Sequence, residues 1–214
     1  MLANEAVRGT PVGQAAGVVV VAASLGGLRA FDPIVRSLPR DFPLPLVFVQ
    51  HLSDHYPTYL ADLLAATTAL RVRWLRDGDA LEPGVIHLTP PGLHTVFDGG
   101  GRAATWDAPR INYVRPAADP LLTSAAATFG ANTTAVVLTG RLYDGAAGAL
   151  NVRRAGGVVI AQDPATCPAP GMPRATIDAG AAHFVLTPNG IASALVALTM
   201  AHGTRALFGW ERAA

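Results

Sequence analysis

A single cysteine, Cys167, stands among 214 residues. An internal disulfide framework is therefore impossible, as is any CxxC metal or redox site, and a lone thiol fits a reducing compartment. Charge is scarce too: 14% of the residues are charged, 16 basic against 15 acidic, for a net charge of +1. With both signs mixed along the chain, no surface for a polyanion is marked and nucleic acid is not an expected partner. An unbroken apolar run of bilayer length is also missing. The longest uncharged stretch near the N-terminus, Pro11 to Leu28, is interrupted by Gly13, Gln14, Gly17, Gly26 and Gly27, so no membrane insertion is expected. Arg8 ahead of a short apolar run raises a signal peptide, but Glu5, Pro11 and Gly13 break the lead-in and residues 1–17 read as a flexible N-terminal arm. Repeats, low-complexity tracts and dividing linkers are absent. What is present is 50% hydrophobic residues, enough to bury a large core in one α/β domain.

The pattern that fills this domain begins at Val18. Four valines lead into Ala-Ala-Ser-Leu-Gly-Gly, after which Leu28, Phe31 and Val35 fall on one helical face. A buried strand thus hands over to a helix at Ser24. LVFVQH, Leu46 to His51, repeats the motif with a histidine at the strand end. The run Tyr59 to Ala69 reads as an amphipathic helix, and Arg71 to Leu75 and Val85 to Thr89 read as strands around the turn-forming DGDALEPG. This middle region is expected to be a small hairpin-bearing excursion. Asp98 to Pro116 is turn-rich, and Leu121 to Phe129 is expected to be a helix ended by Gly130. Thr134 to Thr139 is another buried strand, followed by GRLYDGAAGAL, which carries Asp144 into a helix. Val158 to Asp163 forms a further strand, PATCPAPGMPR an extended loop, FVLT a short strand, and Ile191 to His202 a closing helix. Strands alternating with helices imply a doubly wound, mostly parallel sheet with helices on both faces, a three-layer α/β fold.

In such sheets ligands bind outside the carboxyl ends of the strands. Ser24, His51 and Asp144 each follow a separate strand, so a hydroxyl, an imidazole and a carboxylate can converge there from distant parts of the chain. Serine is a poor nucleophile at neutral pH unless an imidazole takes its proton and a carboxylate holds that imidazole in the right tautomer. Bland roles compete with this one. Ser24 can cap the helix that follows it, His51 can bond a backbone carbonyl, and Asp144 before Gly145 can serve a turn. The nucleophile elbow GxSxG is absent. His51 and His55 lie four apart, but HLSDH lacks the glutamate of HExxH, and no metal is expected. Cys167, bracketed by Pro164 and Pro168 without a neighbouring histidine, fits a loop or packing role, and Asp32 fits a solvated charge. A dinucleotide site requires GxGxxG and an acidic residue ending the second strand; AASLGG and Gln50-His51 stand there instead, and no cofactor is expected.

These strand ends belong to a wider series of motifs. AASLGG at Ala22 to Gly27, QH at Gln50 and His51, DGDALEPGVIHLTPPGLH at Asp77 to His94, RPAAD at Arg115 to Asp119, LTGRLYDGAAG at Leu138 to Gly148 and AQDPATCPAPGMPRATI at Ala161 to Ile177 occur in this order. Over nearly everything from Val18 to Leu198 the chain resembles the catalytic domain of the chemotaxis protein-glutamate methylesterases, the CheB family. The resemblance implies a catalytic domain over 18–202 with a C-terminal tail over 203–214, and a Ser-His-Asp triad at Ser24, His51 and Asp144. It also implies hydrolysis of glutamate γ-methyl esters on the cytoplasmic part of a methyl-accepting chemoreceptor, in chemotaxis adaptation, by a cytoplasmic enzyme. Members of this family can also deamidate receptor glutamines, which is the same acyl chemistry with ammonia leaving. Backbone N–H groups near Leu25 and Arg141 are the candidates to hold the oxyanion. The three triad groups are expected to form one hydrogen-bonded chain.

This sequence departs from the family pattern around that triad. Ser24-Leu25-Gly26-Gly27 replaces Ser-Thr-Gly-Gly, Thr139-Gly140-Arg141-Leu142 replaces Thr-Gly-Met-Gly, and Val114 and Ala117 stand where a histidine and a serine are usual. Leu142 is expected to strain a backbone conformation that only glycine adopts cheaply, and Arg141 puts a cation beside the oxyanion site. The usual receiver domain cannot fit in the residues before the first strand, so phosphorylation control is expected from a separate response-regulator chain. Three readings stand: a receptor methylesterase, a serine hydrolase or amidase with another substrate, and an idle binding module, the last disfavoured by a complete Ser-His-Asp set.

Overall fold

Strands that are apolar on both faces must be covered on both sides, and the chain supplies four of them, each buried at every position. A computed structural model describes residues 15–52 and 59–200. In chain order the elements are β1 (Val18–Ala23), α1 (Gly27–Ser37), β2 (Leu46–Gln50), α2 (Leu60–Ala65), β3 (Arg71–Trp74), β4 (Val85–Leu88), β5 (His94–Phe97) and β6 (Ala103–Trp106). They continue with α3 (Ala118–Phe129), β7 (Thr133–Val137), α4 (Ala146–Arg154), β8 (Val158–Gln162), α5 (Gly171–Asp178), β9 (Phe184–Leu186) and α6 (Pro188–Met200). Seven strands make one parallel sheet in the order β3-β4-β2-β1-β7-β8-β9.

Alternation along β1 sorts the core into two layers. Val19, Val21 and Ala23 face Phe31, Ile34 and Val35 of α1 together with Ile191 and Leu195 of α6. Val18, Val20 and Ala22 face Leu121, Leu122 and Ala125 of α3, Ala149 and Val152 of α4, and Met172 of α5. The phenyl rings of Phe31 and Phe48 stack at 4.2 Å and join α1 to β2. The expected doubly wound, three-layer α/β architecture is the one observed.

The hairpin lies later in the chain than the sequence reading put it. Arg71–Trp74 and Val85–Leu88 run parallel to each other at the edge of the main sheet, whereas the antiparallel pair is β5 with β6, from the segment around Asp98 that read as turn-rich. Two helices also differ in extent. α2 stops at Ala65 because Thr67 and Thr68 turn their hydroxyls onto the carbonyls of Leu64 (3.1 Å) and Val35 (3.0 Å). α5 begins inside the stretch read as an extended loop: Pro173 falls in its first turn, where no N–H is needed. The expected N-terminal arm and C-terminal tail fall mainly outside the described residues. Among the described residues no helix is long and apolar enough to cross a membrane.

Candidate active site

The last register pair between β1 and β2 is Ala23 with Gln50, and the His51 N–H extends the ladder by donating to Ala23 O at 3.1 Å. Ser24 and His51 are therefore the next residues on neighbouring strands. On the other flank of β1 the Ser24 N–H donates to Thr139 O at 3.0 Å. The chain leaves β1 through α1 on one face of the sheet and approaches β7 through α3 on the other, so Ser24 sits at the point where the winding reverses, which is where such sheets open a crevice. Ser24 does not cap the helix. The N-cap of α1 is Gly26, at φ +81°, and no side chain caps it. The Ser24 carbonyl accepts bonds from the Gly27 N–H at 2.9 Å and from Gln50 Nε2 at 2.8 Å, which pins the turn. Neither Gly26 nor Gly27 has room for a Cβ: at Gly26 it would lie 2.4 Å from Pro168 Cγ, and at Gly27 2.5 Å from Ala23 Cβ.

His51 and Asp144 meet. Nε2 of the imidazole lies 2.8 Å from Asp144 Oδ2, and Asp144 is 1% exposed. The same Oδ2 accepts the Ala118 N–H at 2.6 Å, at the N-terminus of α3, while Oδ1 accepts Asn112 Nδ2 at 2.8 Å and the Asp119 N–H at 3.3 Å. Burial alone would push this carboxyl up; the bonds from His51, Ala118 and Asn112 outweigh it and hold the group below the usual carboxylate range. Asp144 is thus far more than a turn residue. With Nε2 on the carboxylate, Nδ1 is the ring nitrogen left for a second partner. Among the described residues the Ser24 hydroxyl makes no hydrogen bond, so only the imidazole–carboxylate half of the expected chain is closed. Such bonds are often long without substrate and tighten in the complex.

The wall beside Ser24 is the 139–142 segment. Thr139 ties three loops together: its hydroxyl, with one hydrogen to give, lies within bonding distance of Leu25 O (3.0 Å) and Ala169 O (3.1 Å), and its N–H donates to Gln162 Oε1 (2.9 Å). A Cβ on Gly140 would lie 2.0 Å from Met172 Sδ and 2.8 Å from Ser24 Cβ, so only glycine fits. The Gly140 N–H is taken by Ala169 O at 2.8 Å. Those of Leu25 and Arg141, the two named as oxyanion candidates, carry no partner among the described residues. The Arg141 side chain is exposed and forms no ion pair there, and Leu142 holds φ +62°, the conformation expected to strain a residue other than glycine.

Two clefts flank these residues. One, of about 330 Å³, is lined by Ser24, Gln50, Leu28, Leu52, Tyr59 and Leu63; the other, of about 350 Å³, by Arg110, Asn112, Tyr113 and Tyr143. Among the described residues no group of His, Cys, Asp and Glu side chains is placed to hold a metal ion, and His55 lies outside them. Cys167 is half-buried and its thiol donates to Asp163 O at 3.4 Å; burial pushes its pKa up to about 11, which keeps it an inert thiol at neutral pH. Asp32 pairs with Arg36 on the exposed face of α1 at 2.7 Å. The sequence reading assigned no role to Asn112, hidden in a turn-rich segment, or to Asp119, which it quoted only within RPAAD.

A hydroxyl, an imidazole and a carboxylate arranged in this way have the parts for acyl transfer. The family model described as CheB methylesterase matches residues 19–195. The protein-glutamate methylesterase/protein-glutamine glutaminase 2 of Anaeromyxobacter dehalogenans (strain 2CP-C) is 44% identical over 182 residues, covering 85% of this chain and 53% of the relative. The protein-glutamate methylesterase FrzG of Myxococcus xanthus is 41% identical over 179 residues, covering 84% and 54%. The chain thus spans about half the length of the curated relatives it matches. The crystal structure of the Thermotoga maritima CheB methylesterase catalytic domain superposes with a TM-score of 0.81 at 38% identity, covering 85% of this chain and 98% of that one. The parallel sheet, the site at its carboxyl edge and these likenesses agree: the chain belongs to the CheB methylesterase family.

Proposed function

We propose that this chain is a protein-glutamate methylesterase that hydrolyses glutamate γ-methyl esters on a cytoplasmic chemoreceptor segment, and that it can deamidate receptor glutamines by the same chemistry. The observation that carries the reading is the 2.8 Å bond between His51 Nε2 and a buried Asp144, one register step from Ser24 at the reversal point of the sheet. Ser24 Oγ attacks the ester carbonyl carbon and its proton passes to His51 Nδ1. Asp144 stabilises the imidazolium that results. The N–H groups of Leu25 and Arg141, unclaimed by other acceptors, receive the negative charge on the carbonyl oxygen. His51 then returns the proton to methoxide, methanol leaves, and water repeats the sequence on the acyl-enzyme to release the γ-carboxylate. The receptor partner and the cytoplasmic setting are what the family resemblance implies, and they belong to this proposal.

Methanol release from a methylated receptor fragment, set beside release from a small methyl ester, tests the reading. Ser24→Ala abolishes turnover, and Asp144→Asn lowers it by up to roughly 10⁴-fold through the wrong imidazole tautomer. Full activity in either variant refutes the triad. Turnover of small esters with none on the receptor fragment favours a serine hydrolase of another substrate, for which the exposed Leu25, Arg141 and Leu142 beside Ser24 are the specific ground.

A further inference from the structure

We infer that Asn112 and Asp119 are positioning residues for Asp144: one amide nitrogen, shared between two carboxylates, holds Asp144 with an oxygen facing His51. The inference rests on the triad reading given above. Asn112 Nδ2 has two hydrogens and both are used, one on Asp119 Oδ2 at 2.7 Å and one on Asp144 Oδ1 at 2.8 Å. Two carboxylates this close repel unless donors lie between them, and one of the pair otherwise retains a proton. The remaining donors divide between them. Ala118 and Asp119 N–H groups serve Asp144, and the Gly148 N–H serves Asp119 Oδ1 at 2.7 Å. Asp119 therefore links α3 to α4, and α4 begins immediately after Asp144 and Gly145. The two helices meet closely enough that a Cβ on Gly148 would lie 2.6 Å from Leu122 Cβ.

The backbone under Asn112 is bent to present that amide. Ile111 and Val114 exchange N–H to carbonyl bonds at 3.1 and 3.0 Å, closing a two-residue turn whose central residues are Asn112 at φ +53° and Tyr113 at φ +68°. Asparagine tolerates the left-handed region; tyrosine does not, and Tyr113 is 72% exposed, so no burial of its ring offsets the strain. Strain of this kind persists where surrounding contacts over-determine it, and here the contacts are those of Asn112 with the two carboxylates. Around Asp144 stand His51 from the end of β2 and Asp119 from α3. Exposed Arg141 and Tyr143 lie on its own loop, and exposed Arg110 and Tyr113 on the neighbouring turn. Burial, followed by the charge of Asp144 against the pull of the Gly148 N–H, pushes the Asp119 carboxyl up, while the bonds from His51, Ala118 and Asn112 hold Asp144 down.

Asn112→Gly tests the inference in the full chain, because glycine keeps the left-handed turn and removes only the amide. With the methyl ester substrate, kcat falls at least about 10-fold at unchanged KM, and the acid limb of the pH profile rises by about one unit because Asp144 loses one of the bonds that hold it ionised. Adding Asp119→Asn removes the repulsion, supplies a new amide and restores most of kcat. A low-field proton resonance from His51 Nε2–H on Asp144 weakens in the single variant and returns in the double one. An unmoved acid limb and resonance in Asn112→Gly, or losses that multiply in the double variant, overturn the inference. The resonance decides it even where the unaltered chain hydrolyses no ester, an outcome that refutes the triad reading alone.

Discussion

Leu142 holds φ +62° and is 54% exposed, so it bears the cost of the left-handed region and recovers little by burial. That cost is about 1–2 kcal/mol for an L-residue, and the looser unfolded chain of a glycine variant takes back about 0.5–1 kcal/mol. Leu142→Gly is therefore expected to stabilise the protein by about 0.5 kcal/mol, read as a raised urea midpoint at constant slope. A lowered midpoint would mean that the leucine side chain has a partner worth more than the strain. Its neighbour Arg141 carries an exposed guanidinium at the rim of the site. Exposed ion pairs contribute about 0.2–1 kcal/mol, so Arg141→Met should lower kcat/KM by up to about five-fold for an ester flanked by carboxylates and leave a neutral ester unchanged. Equal effects on both esters would reduce Arg141 to a backbone N–H and a solvated side chain.

Among the elements, β4 carries a buried histidine that makes the fold sensitive to acid. His87 is fully buried between Arg73 and the 79–82 turn, where its Nε2 receives the Glu82 N–H at 3.1 Å and Arg73 Nε approaches Nδ1 at 3.3 Å. Burial, and after it the Arg73 cation, lower its pKa from 6.5 to about 4. The unfolded chain thus takes up this proton before the native one does. The stability His87 contributes is complete above pH 6.5 and is lost as pH falls from 6.5 toward 4. Between about pH 7 and pH 5 the loss from this one group comes to about 2 kcal/mol. Urea unfolding of the parent and of His87→Gln at both pH values measures it; parallel declines would show that carboxylates alone set the acid sensitivity. The elements themselves differ in how plainly the sequence announces them. β1, β2, β7 and β8 are continuous apolar runs bounded by turn residues, and each was readable to within a residue or two. α5 was not, because Gly171 and Pro173 read locally as loop. Glycine is required there by close approach to the Leu142 backbone, 2.7 Å from where a Cβ would lie, and proline is tolerated because it falls in the first turn.

For the whole molecule, local pattern and tertiary placement did different work. The apolar runs alternating with helical spacing determined a parallel sheet covered on both faces, since strands with two apolar sides have no other stable arrangement. They also placed Ser24, His51 and Asp144 at strand ends, because a chain leaving a parallel strand exposes its next residues at the carboxyl edge. Motif order added the family. The sequence by itself did not decide which edge strand joined which, and the 71–88 region shows why: Arg71–Trp74 alternates polar and apolar residues as a hairpin strand would, but it pairs in parallel with β4. Nor did it point to Asn112 or Asp119, whose roles depend on contacts across 32 and 25 positions that no local spacing records. Those contacts exist only once α3 directs its N-terminus at the loop after β7 and the 111–114 turn closes over it. Periodicity decides which face a residue shows to its own element, whereas the partner on that face is chosen by packing between elements. For that reason the strand-end positions of Ser24, His51 and Asp144 were legible in the sequence and the bonds that hold Asp144 in place were not.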